Sequence, residues 1–312
     1  MTMASRDAFY TSAALADLSA RGRILATGDD RLRLIHALST NQIEKLSPGQ
    51  GVYAFFLNAQ GRVLADAIIV CRDSDLLISV EPEVRGKLYS HIDRYIIADD
   101  VTLTDVTEST FEIAVEGPTA EAILASLGAT VPTDAFAFTN WNGIDIVRAS
   151  STGAAGFRLF GPMEQKDALI ASLAAAGAVR AAPADLESVR IEHGTPRYGV
   201  DITDNYIPQE TRQMHALNFS KGCYLGQEIV ERVRSRGHVN RVLTALAIDT
   251  GTAPVPGAKV TAAEKEVGEI TSATVSPRYG GVRALAYIRA EALASGAPMA
   301  VGGAQSKPVE QV

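Results

Sequence analysis

Apolar runs separated by polar breaks fill the first hundred residues and predict strands joined by short turns. The polar break from Asn58 to Gly61 lies between two such runs and predicts a hairpin. Helical spacing of apolar residues follows Asp29-Asp30 and recurs over residues 83–95. We therefore expect an N-terminal α+β part at residues 1–108. Its predicted strands are residues 9–10, 23–26, 52–57, 63–70, 76–80 and 101–103.

The middle of the chain alternates strand and helix patterns. Gly117-Pro118 opens one predicted helix, and Gly161-Pro162 opens another over residues 163–176. The order of the elements predicts a ferredoxin-like α+β part at residues 109–182, with its helices on one face of an antiparallel sheet. The predicted strands of this part are residues 111–115, 144–148 and 157–160.

The pattern of apolar and polar residues changes twice in the last third of the chain. Residues 183–240 form a return segment, with a helix at 184–192 and little periodicity over 201–220. From Val242 onward, short strands and turns predict a β-barrel of about 70 residues, which we place at residues 241–312.

Composition and charge narrow the class of protein. The 312 residues carry a net charge of −7, which argues against non-specific binding to nucleic acid or to an anionic membrane. The two cysteines, Cys71 and Cys223, cannot build a disulfide framework and indicate a reducing compartment. No apolar run is long enough to cross a bilayer, and the start lacks the order of a secretory signal, so we expect a cytoplasmic location. The five histidines lack metal-ligand spacing, so no metal site is predicted.

Cys223 is the most reactive candidate in the chain. It lies two residues after Lys221 and just before a predicted helix that begins near Gln227. A helix N-terminus and a nearby cation both lower the pKa of a thiol and favour the thiolate. The alternative is that Cys223 is a small buried hydrophobe, as free cysteines often are. Cys71 lies in an apolar strand and is predicted to be a core residue.

Residues 221–228, Lys-Gly-Cys-Tyr-Leu-Gly-Gln-Glu, resemble the signature K-G-C-[FY]-x-G-Q-E of the YgfZ family. That family comprises folate-binding proteins related to the glycine-cleavage T-protein and linked to iron–sulfur protein maintenance and tRNA modification. Residues 190–201 are similar to the superfamily pattern R-[IL]-E-x-G-x-P-x-[YF]-G-x-D, and residues 267–272 to a pattern of its C-terminal barrel. The resemblance implies a three-part ring of two α+β domains and the barrel around a central folate cavity, lined by residues 201–220.

The resemblance also implies which residues contact tetrahydrofolate. Glu192 would accept the paired N–H groups of the pterin. Asp66 would meet the ligand, although a strand-edge aspartate that faces water is an equal alternative. The remaining candidates are Tyr198, Gln227, Arg232, Arg234 and Arg236. The arginines would bind the glutamate tail, with contact to tRNA phosphates or a solvated basic hairpin as alternatives.

Two departures from the T-protein pattern bear on the chemistry. Ala65 stands where the T-protein has the first of two adjacent aspartates, and Ala154 replaces a glutamate in a glycine-rich turn. The resemblance therefore implies a tetrahydrofolate-binding accessory protein for the assembly or repair of iron–sulfur enzymes, including tRNA-modifying ones. Cys223 and Lys221 would be its catalytic residues, with client enzymes and the assembly machinery as partners. The alternatives are a T-protein-like aminomethyltransferase and a folate-binding module without chemistry, so whether the protein is an enzyme stays open.

Overall fold

A computed structural model describes residues 3–237 and 239–310, with the side chains of residues 3, 4 and 236 left out. This part of the chain contains eight α-helices and seventeen strands. The helices α1 to α8 span Met3–Thr11, Arg31–Leu38, Arg85–Asp93, Ala120–Ser126, Lys166–Ala175, Pro183–His193, Gln227–Arg236 and Ala290–Ser295. The strands β1 to β9 span Ala14–Asp17, Gly22–Thr27, Gly51–Leu57, Val63–Cys71, Asp75–Val80, Thr102–Asp105, Thr110–Glu116, Phe138–Trp141 and Ile144–Val147. The strands β10 to β17 span Gly156–Pro162, Val179–Arg180, Arg241–Ile248, Lys259–Ala262, Lys265–Ser276, Gly281–Arg289, Met299–Val301 and Ala304–Pro308.

The N-terminal sheet has the order β3-β4-β5-β2-β6, and every neighbouring pair is antiparallel. The predicted hairpin joins β3 to β4. Its turn is held by Asn58, whose side-chain oxygen accepts hydrogen bonds from the backbone N–H groups of Gln60 and Arg62. Asn and Gly favour such turns because both tolerate the backbone conformations that turns require. Helices α2 and α3 contribute buried Leu34, Ile35 and Leu88 to the core of this body.

The second sheet has the order β11-β1-β7-β10-β9-β8. It takes β1 from the start of the chain, and β1 pairs in parallel with β11 and antiparallel with β7. The strand predicted at residues 9–10 is wrong, because these residues lie in α1. Ala8 and Phe9 of that helix are buried against Val189 of α6. This contact joins positions far apart in the sequence, so no local pattern reveals it.

The C-terminal strands close into a barrel of order β12-β15-β14-β13-β16-β17, in which β17 returns to pair with β12. Closure leaves no free sheet edge. The predicted small barrel and the α+β class are confirmed. Within the described residues, no helix is both long enough and apolar enough to cross a bilayer.

Helix α6 connects the bodies through buried charged side chains. Arg190 donates to Asp201 over 2.7 Å. The other oxygen of Asp201 accepts hydrogen bonds from Thr271 and Ser272 of β14. Buried charges are tolerated when they are paired and hydrogen-bonded in this way. The motif residues of 190–201 therefore fix the barrel against the rest of the molecule.

Candidate ligand cavity and thiol loop

A cavity of about 600 Å³ lies between the two sheets and α6. Its walls come from β1, β3, β4, the turn at residues 150–153, α6 and the return segment. Among the described residues that line it, none belongs to the barrel. The predicted loop at 201–220 reaches the cavity through Gln213 and His215. A cavity of this size that is bounded by several elements is the usual form of a small-molecule site.

Asp66 lies in the cavity wall with one oxygen unpaired. Tyr53 donates its hydroxyl proton to Asp66 Oδ2 over 2.8 Å, whereas Asp66 Oδ1 is buried without a hydrogen-bond partner among the described residues. Burial raises the pKa of the Asp66 carboxyl group and, more strongly, that of the Tyr53 hydroxyl. An unpaired buried oxygen is costly, and such atoms in native proteins commonly mark a functional site.

Two arginines line the same cavity and share a buried carboxylate. Glu112 accepts a hydrogen bond from Arg158 Nη1 at 2.9 Å and forms an ion pair with Arg21 Nε at 3.3 Å. Arg21 also pairs with Glu81. Burial lowers the pKa of Arg21 to about 10, so Arg21 stays cationic near neutral pH. Arg158 Nε is another buried polar atom without a partner in the described chain, and Arg158 lines the same cavity as Asp66.

Three aromatic side chains, which we call the aromatic cluster, also line the cavity: Tyr53, Phe136 and His215. Their ring centroids lie 5.1 to 6.3 Å apart, and the ring planes lie within 28° of parallel. Burial lowers the pKa of His215. No sequence motif predicts this cluster, because its members are separated by about 80 residues each and carry no shared pattern. The sequence signal for His215 was only its place in a segment expected to line the cavity.

Of the predicted folate contacts whose side chains the structure describes, only Asp66 lines the cavity. Glu192 is 4% exposed and is absent from the lining, which departs from the prediction that it meets a pterin. Its carboxylate instead pairs with Arg6 and accepts hydrogen bonds from Tyr10 and Ser276. These partners already occupy both carboxylate oxygens.

The other predicted contacts with described side chains also lie outside the lining. Tyr198 is buried and donates its hydroxyl proton to the carbonyl oxygen of Val63 at 3.3 Å. Gln227, at the start of α7, accepts a hydrogen bond from the backbone N–H of Tyr224. Arg232 and Arg234 are exposed on α7, and Arg234 stacks over Phe219. The side chain of Arg236 lies outside the described residues. Helix α7 instead packs on the β3–β4 turn, where Ile229 closes against Gly61.

Cys223 is exposed, so the alternative of a buried hydrophobe is wrong for this residue, whereas Cys71 is buried as predicted. Three residues separate Cys223 from α7, which begins at Gln227 with Gly226 as its N-cap. Among the described residues, no group of three or more His, Cys, Asp or Glu side chains is arranged to hold a metal ion.

The contacts of Lys221 differ from its predicted role as the cation that stabilises the Cys223 thiolate. Its ammonium group is buried and donates to the backbone carbonyls of His36, Ser39 and Asn41 at 2.5 to 2.8 Å. These carbonyls end α2 and the turn that follows, where a helix leaves acceptors unpaired. Burial lowers the pKa of Lys221 to about 7. Lys221 therefore anchors the loop that carries Cys223.

Comparison with known proteins assigns most of the chain to two domain families. The GCVT N-terminal domain family matches residues 2–221, and the Glycine cleavage T-protein C-terminal barrel domain family matches residues 241–310. The aminomethyltransferase of Geobacillus kaustophilus is 29% identical over 303 residues, which cover 93% of this chain and 83% of the relative. A chloroplastic protein of Arabidopsis thaliana, provisionally named a transferase, is 28% identical over 313 residues, which cover 98% of this chain and 72% of the relative.

The fold agrees with a solved structure. The glycine cleavage system aminomethyltransferase T of Bartonella henselae superposes with a TM-score of 0.89 at 20% sequence identity, over 99% of this chain and 88% of the other. The predicted T-protein-like architecture is thereby confirmed. The chain belongs to the glycine cleavage T-protein superfamily.

Proposed function

We propose that this protein binds tetrahydrofolate in the cavity and uses Cys223 to support the assembly or repair of iron–sulfur enzymes, including tRNA-modifying ones, as members of the YgfZ family do. The observation that carries the proposal is the exposed thiol on the loop at residues 221–228, whose eight residues match the YgfZ signature. Its client enzymes and the assembly machinery are the proposed partners.

The cavity has the features that a folate needs. A folate presents a flat pterin with N–H donors, and the buried Asp66 Oδ1 is an acceptor without a partner among the described residues. Arg158 Nε and Ser151 Oγ are two further unpaired polar atoms on residues of the same lining. The aromatic cluster supplies an apolar surface. When bound, tetrahydrofolate supplies one-carbon chemistry at its ring nitrogens, whereas the residues of this chain bind and orient it.

Cys223 is absent from the cavity lining among the described residues, so the thiol does not border the proposed folate site. An exposed cysteine can form a mixed disulfide or accept a group from a client protein, which a buried thiol cannot do. One such cysteine cannot hold an iron–sulfur cluster, which commonly takes four thiolates. The thiol therefore acts on client proteins transiently, and folate binding supports this work from a separate site.

A second candidate function is folate-dependent aminomethyl transfer. Two observations favour it: the aminomethyltransferases among the relatives of this chain, and the location of Asp66 in the cavity wall. Against it stands Ala65, where the T-protein pattern has a second carboxylate. A glycine-cleavage assay with a lipoyl carrier protein separates the two candidates, because only the second predicts turnover.

Replacement of Cys223 by alanine tests the thiol. We expect cells that carry only the Cys223→Ala variant to lose activity of iron–sulfur enzymes and the tRNA modifications that depend on them. The matched control is Cys71→Ala, which removes the buried thiol and should retain function. Full client activity with Cys223→Ala would refute the proposed thiol role, and calorimetry with tetrahydrofolate tests the cavity independently.

A further inference from the structure

We propose that Gly222 and the His36 ring form a docking position beside the thiol, where the peptide next to a client disulfide lies over Gly222 and accepts a hydrogen bond from His36 Nε2. This inference rests on the proposed thiol function of Cys223 and adds to it how the client segment is recognised. It assigns a role to a glycine that neither the backbone conformation nor the packing requires.

The two glycines of the segment 221–228 differ in what the fold demands of them. Gly226 has a φ of 83°, and an added Cβ would approach the Asn58 carbonyl oxygen to 2.7 Å, so a side chain is excluded there. The φ of Gly222 lies outside the left-handed region. Apart from its chain neighbours, the one described atom within 4 Å of an added Cβ at Gly222 is His36 Nε2, at 3.9 Å. The fold therefore admits a side chain at residue 222, and the space above its backbone is open.

This open space borders the exposed thiol. Gly222 is itself exposed and directly precedes Cys223, and consecutive Cα atoms lie only about 3.8 Å apart. A glycine at a position that tolerates a side chain lowers stability, because it adds conformational freedom to the unfolded chain. A position without a side chain also lets another backbone approach closely. Thiol–disulfide exchange requires access to the sulfur, so the glycine is suited to admit a client segment.

The His36 ring presents an unused hydrogen-bond donor to this position. Its Nδ1 accepts hydrogen bonds from the backbone N–H groups of Ile43 and Glu44 at 3.2 and 3.4 Å, so the neutral ring carries its proton on Nε2. Burial, followed by the Lys221 charge, lowers the pKa of His36 and favours this neutral form. The Glu44 carboxylate lies 3.9 Å from Nε2, which is too far for a hydrogen bond. His36 is 7% exposed, so Nε2–H is a donor on a buried ring with no acceptor in the described chain.

The loop is held on both sides of the thiol, which keeps the donor beside the open space. The Lys221 ammonium group donates to the His36 carbonyl, and the Leu225 N–H donates to the Ala37 carbonyl at 3.0 Å. Both contacts fix the loop against the end of α2. A peptide carbonyl is the acceptor that every segment of a partner protein offers. A donor at an open backbone position therefore fits a client peptide better than it fits a small thiol reagent without an acceptor.

The test measures how fast Cys223 forms a mixed disulfide with two neutral probes. The disulfide of N-acetylcysteinamide carries peptide carbonyl groups, whereas diethyl disulfide carries none. In both reactions the Cys223 thiolate attacks one sulfur of the probe, a new S–S bond forms, and the S–S bond of the probe breaks. The electron pair leaves with the second sulfur, which takes a proton from water. Mass spectrometry of the intact protein follows the added mass, and Cys223→Ala gives the background from the buried Cys71.

The variant His36→Asn removes the donor. Asparagine keeps an acceptor for the backbone N–H groups of Ile43 and Glu44 but lacks the Nε2–H group. We expect the reaction with the acetylcysteinamide disulfide to be about fivefold slower than in wild type, which is the effect of one hydrogen bond. The rate with diethyl disulfide should stay at the wild-type level, because that probe has no carbonyl oxygen.

The variant Gly222→Leu fills the open space. It should react roughly tenfold more slowly with the acetylcysteinamide disulfide while its melting temperature stays unchanged or rises, because a side chain fits at this position. The matched control is Gly251→Leu, at an exposed glycine of the barrel where no described atom lies within 4 Å of an added Cβ. This control should react with both probes at wild-type rates.

The outcomes separate the docking position from the thiol function. A wild-type rate of Gly222→Leu with the acetylcysteinamide disulfide would overturn the docking position, and this variant decides the question if His36→Asn fails to fold. Equal slowing of His36→Asn with both probes would show that His36 acts on the thiol itself and would overturn the hydrogen bond to a client carbonyl. No reaction of wild-type Cys223 with either probe would instead refute the proposed thiol function, and this inference with it.

Discussion

Asp66 is a residue at which burial opposes ionisation. The carboxylate has one hydrogen bond from Tyr53 and an unpaired second oxygen, and burial raises its pKa. The charges of Arg21 and Arg158 lower the pKa of Asp66. This effect is smaller than the rise caused by the loss of hydration on burial. The fold thus maintains an unfavourable group in the cavity wall, which is the pattern expected when a residue is retained for ligand binding and not for stability.

The substitution Asp66→Asn separates these two roles. Because the folded-state pKa is raised, ionisation of Asp66 at neutral pH costs stability, and a neutral amide of the same shape removes that cost. We expect an unchanged or higher melting temperature together with at least about tenfold weaker binding of 5-formyltetrahydrofolate, since a hydrogen bond to a charged group is worth roughly 1.5–3 kcal/mol. Thermal denaturation and calorimetry measure the two effects.

The matched control for Asp66→Asn is Asp73→Asn, at an exposed position near the end of the same strand. This change removes the same charge without altering the cavity, so both stability and folate affinity should stay at the wild-type level. A marked loss of stability in Asp66→Asn would show that the carboxylate supports the fold and would contradict the proposed role.

His36 predicts a pH dependence of stability. Its Nδ1 accepts hydrogen bonds from the backbone N–H groups of Ile43 and Glu44, and burial, followed by the Lys221 charge, lowers its pKa below the ordinary 6.5. The unfolded chain therefore binds this proton at a higher pH than the folded chain does. The free energy of unfolding should decrease as the pH falls through 6.5, by at most about 1.4 kcal/mol per pH unit for this group.

Urea denaturation between pH 7.5 and 5.5 measures this effect. The variant His36→Asn keeps a hydrogen-bond acceptor without a titrating group, so its stability should decrease less steeply over the same range. His91, His215 and Lys221 also have pKa values lowered by burial, so both proteins retain a shared part of the slope. Identical slopes in the two proteins would exclude His36 as a source of the pH dependence.

Among the elements, α2 and the thiol loop depend on each other. The last carbonyls of α2 and of its following turn have Lys221 as their partner, and the Leu225 N–H donates to the Ala37 carbonyl at 3.0 Å. A lysine ammonium group at the C-terminal end of a helix donates hydrogen bonds to backbone carbonyl oxygens that would otherwise be buried and unpaired. Lys221 of the segment 221–228 is thus structural. Its hydrogen bonds fix the loop on which the exposed Cys223 lies.

Replacement of Lys221 by methionine should destabilise the protein by about 3 kcal/mol. Methionine approximates the shape of the stem but leaves three carbonyl oxygens without their donor. The comparison variant Lys45→Met removes a charge from an exposed position in the same region and should change stability by less than about 0.5 kcal/mol. Urea denaturation of both variants measures the difference, and equal stabilities would refute the anchoring role.

Local patterns were sufficient to predict the N-terminal hairpin and the presence of the barrel. The hairpin of β3 and β4 follows from two apolar runs and a turn at Asn58, and the barrel follows from short strands with regular turns. They were insufficient for α1, where Phe9 and Tyr10 gave no clear helical period. The helix is defined instead by its packing on α6, a contact between residues about 180 positions apart. Tertiary contacts of that separation leave no signal in a local pattern.

For the molecule as a whole, motif matches identified the fold, whereas the predicted ligand contacts stay predictions. The pattern over residues 190–201 was expected to place Glu192 on the ligand, but Glu192 and Asp201 hold α6 to α1 and to the barrel. Asp66 ends a hairpin that faces the cavity, so its predicted contact with the ligand stays a prediction that the fold allows. The stacking of His215 on Phe136 in the cavity wall leaves no local pattern, since it depends on the docking of separate bodies.

Glu192 therefore offers a test of how the three bodies are held together. It receives Arg6 and Tyr10 from α1 and Ser276 from β14, so one side chain of α6 joins the start of the chain to the barrel. In Glu192→Gln, one oxygen becomes an amide that cannot accept these bonds, and Arg6 loses its charged partner. We expect a loss of about 2 kcal/mol in the free energy of unfolding, because breaking a buried pair costs more than breaking an exposed one.

The control Glu269→Gln breaks the exposed ion pair with Lys259 and should cost less than about 1 kcal/mol. Folate affinity of the folded Glu192→Gln variant should stay within about twofold of wild type, since Glu192 is absent from the cavity lining. Wild-type stability combined with lost folate binding would instead restore Glu192 as a pterin ligand.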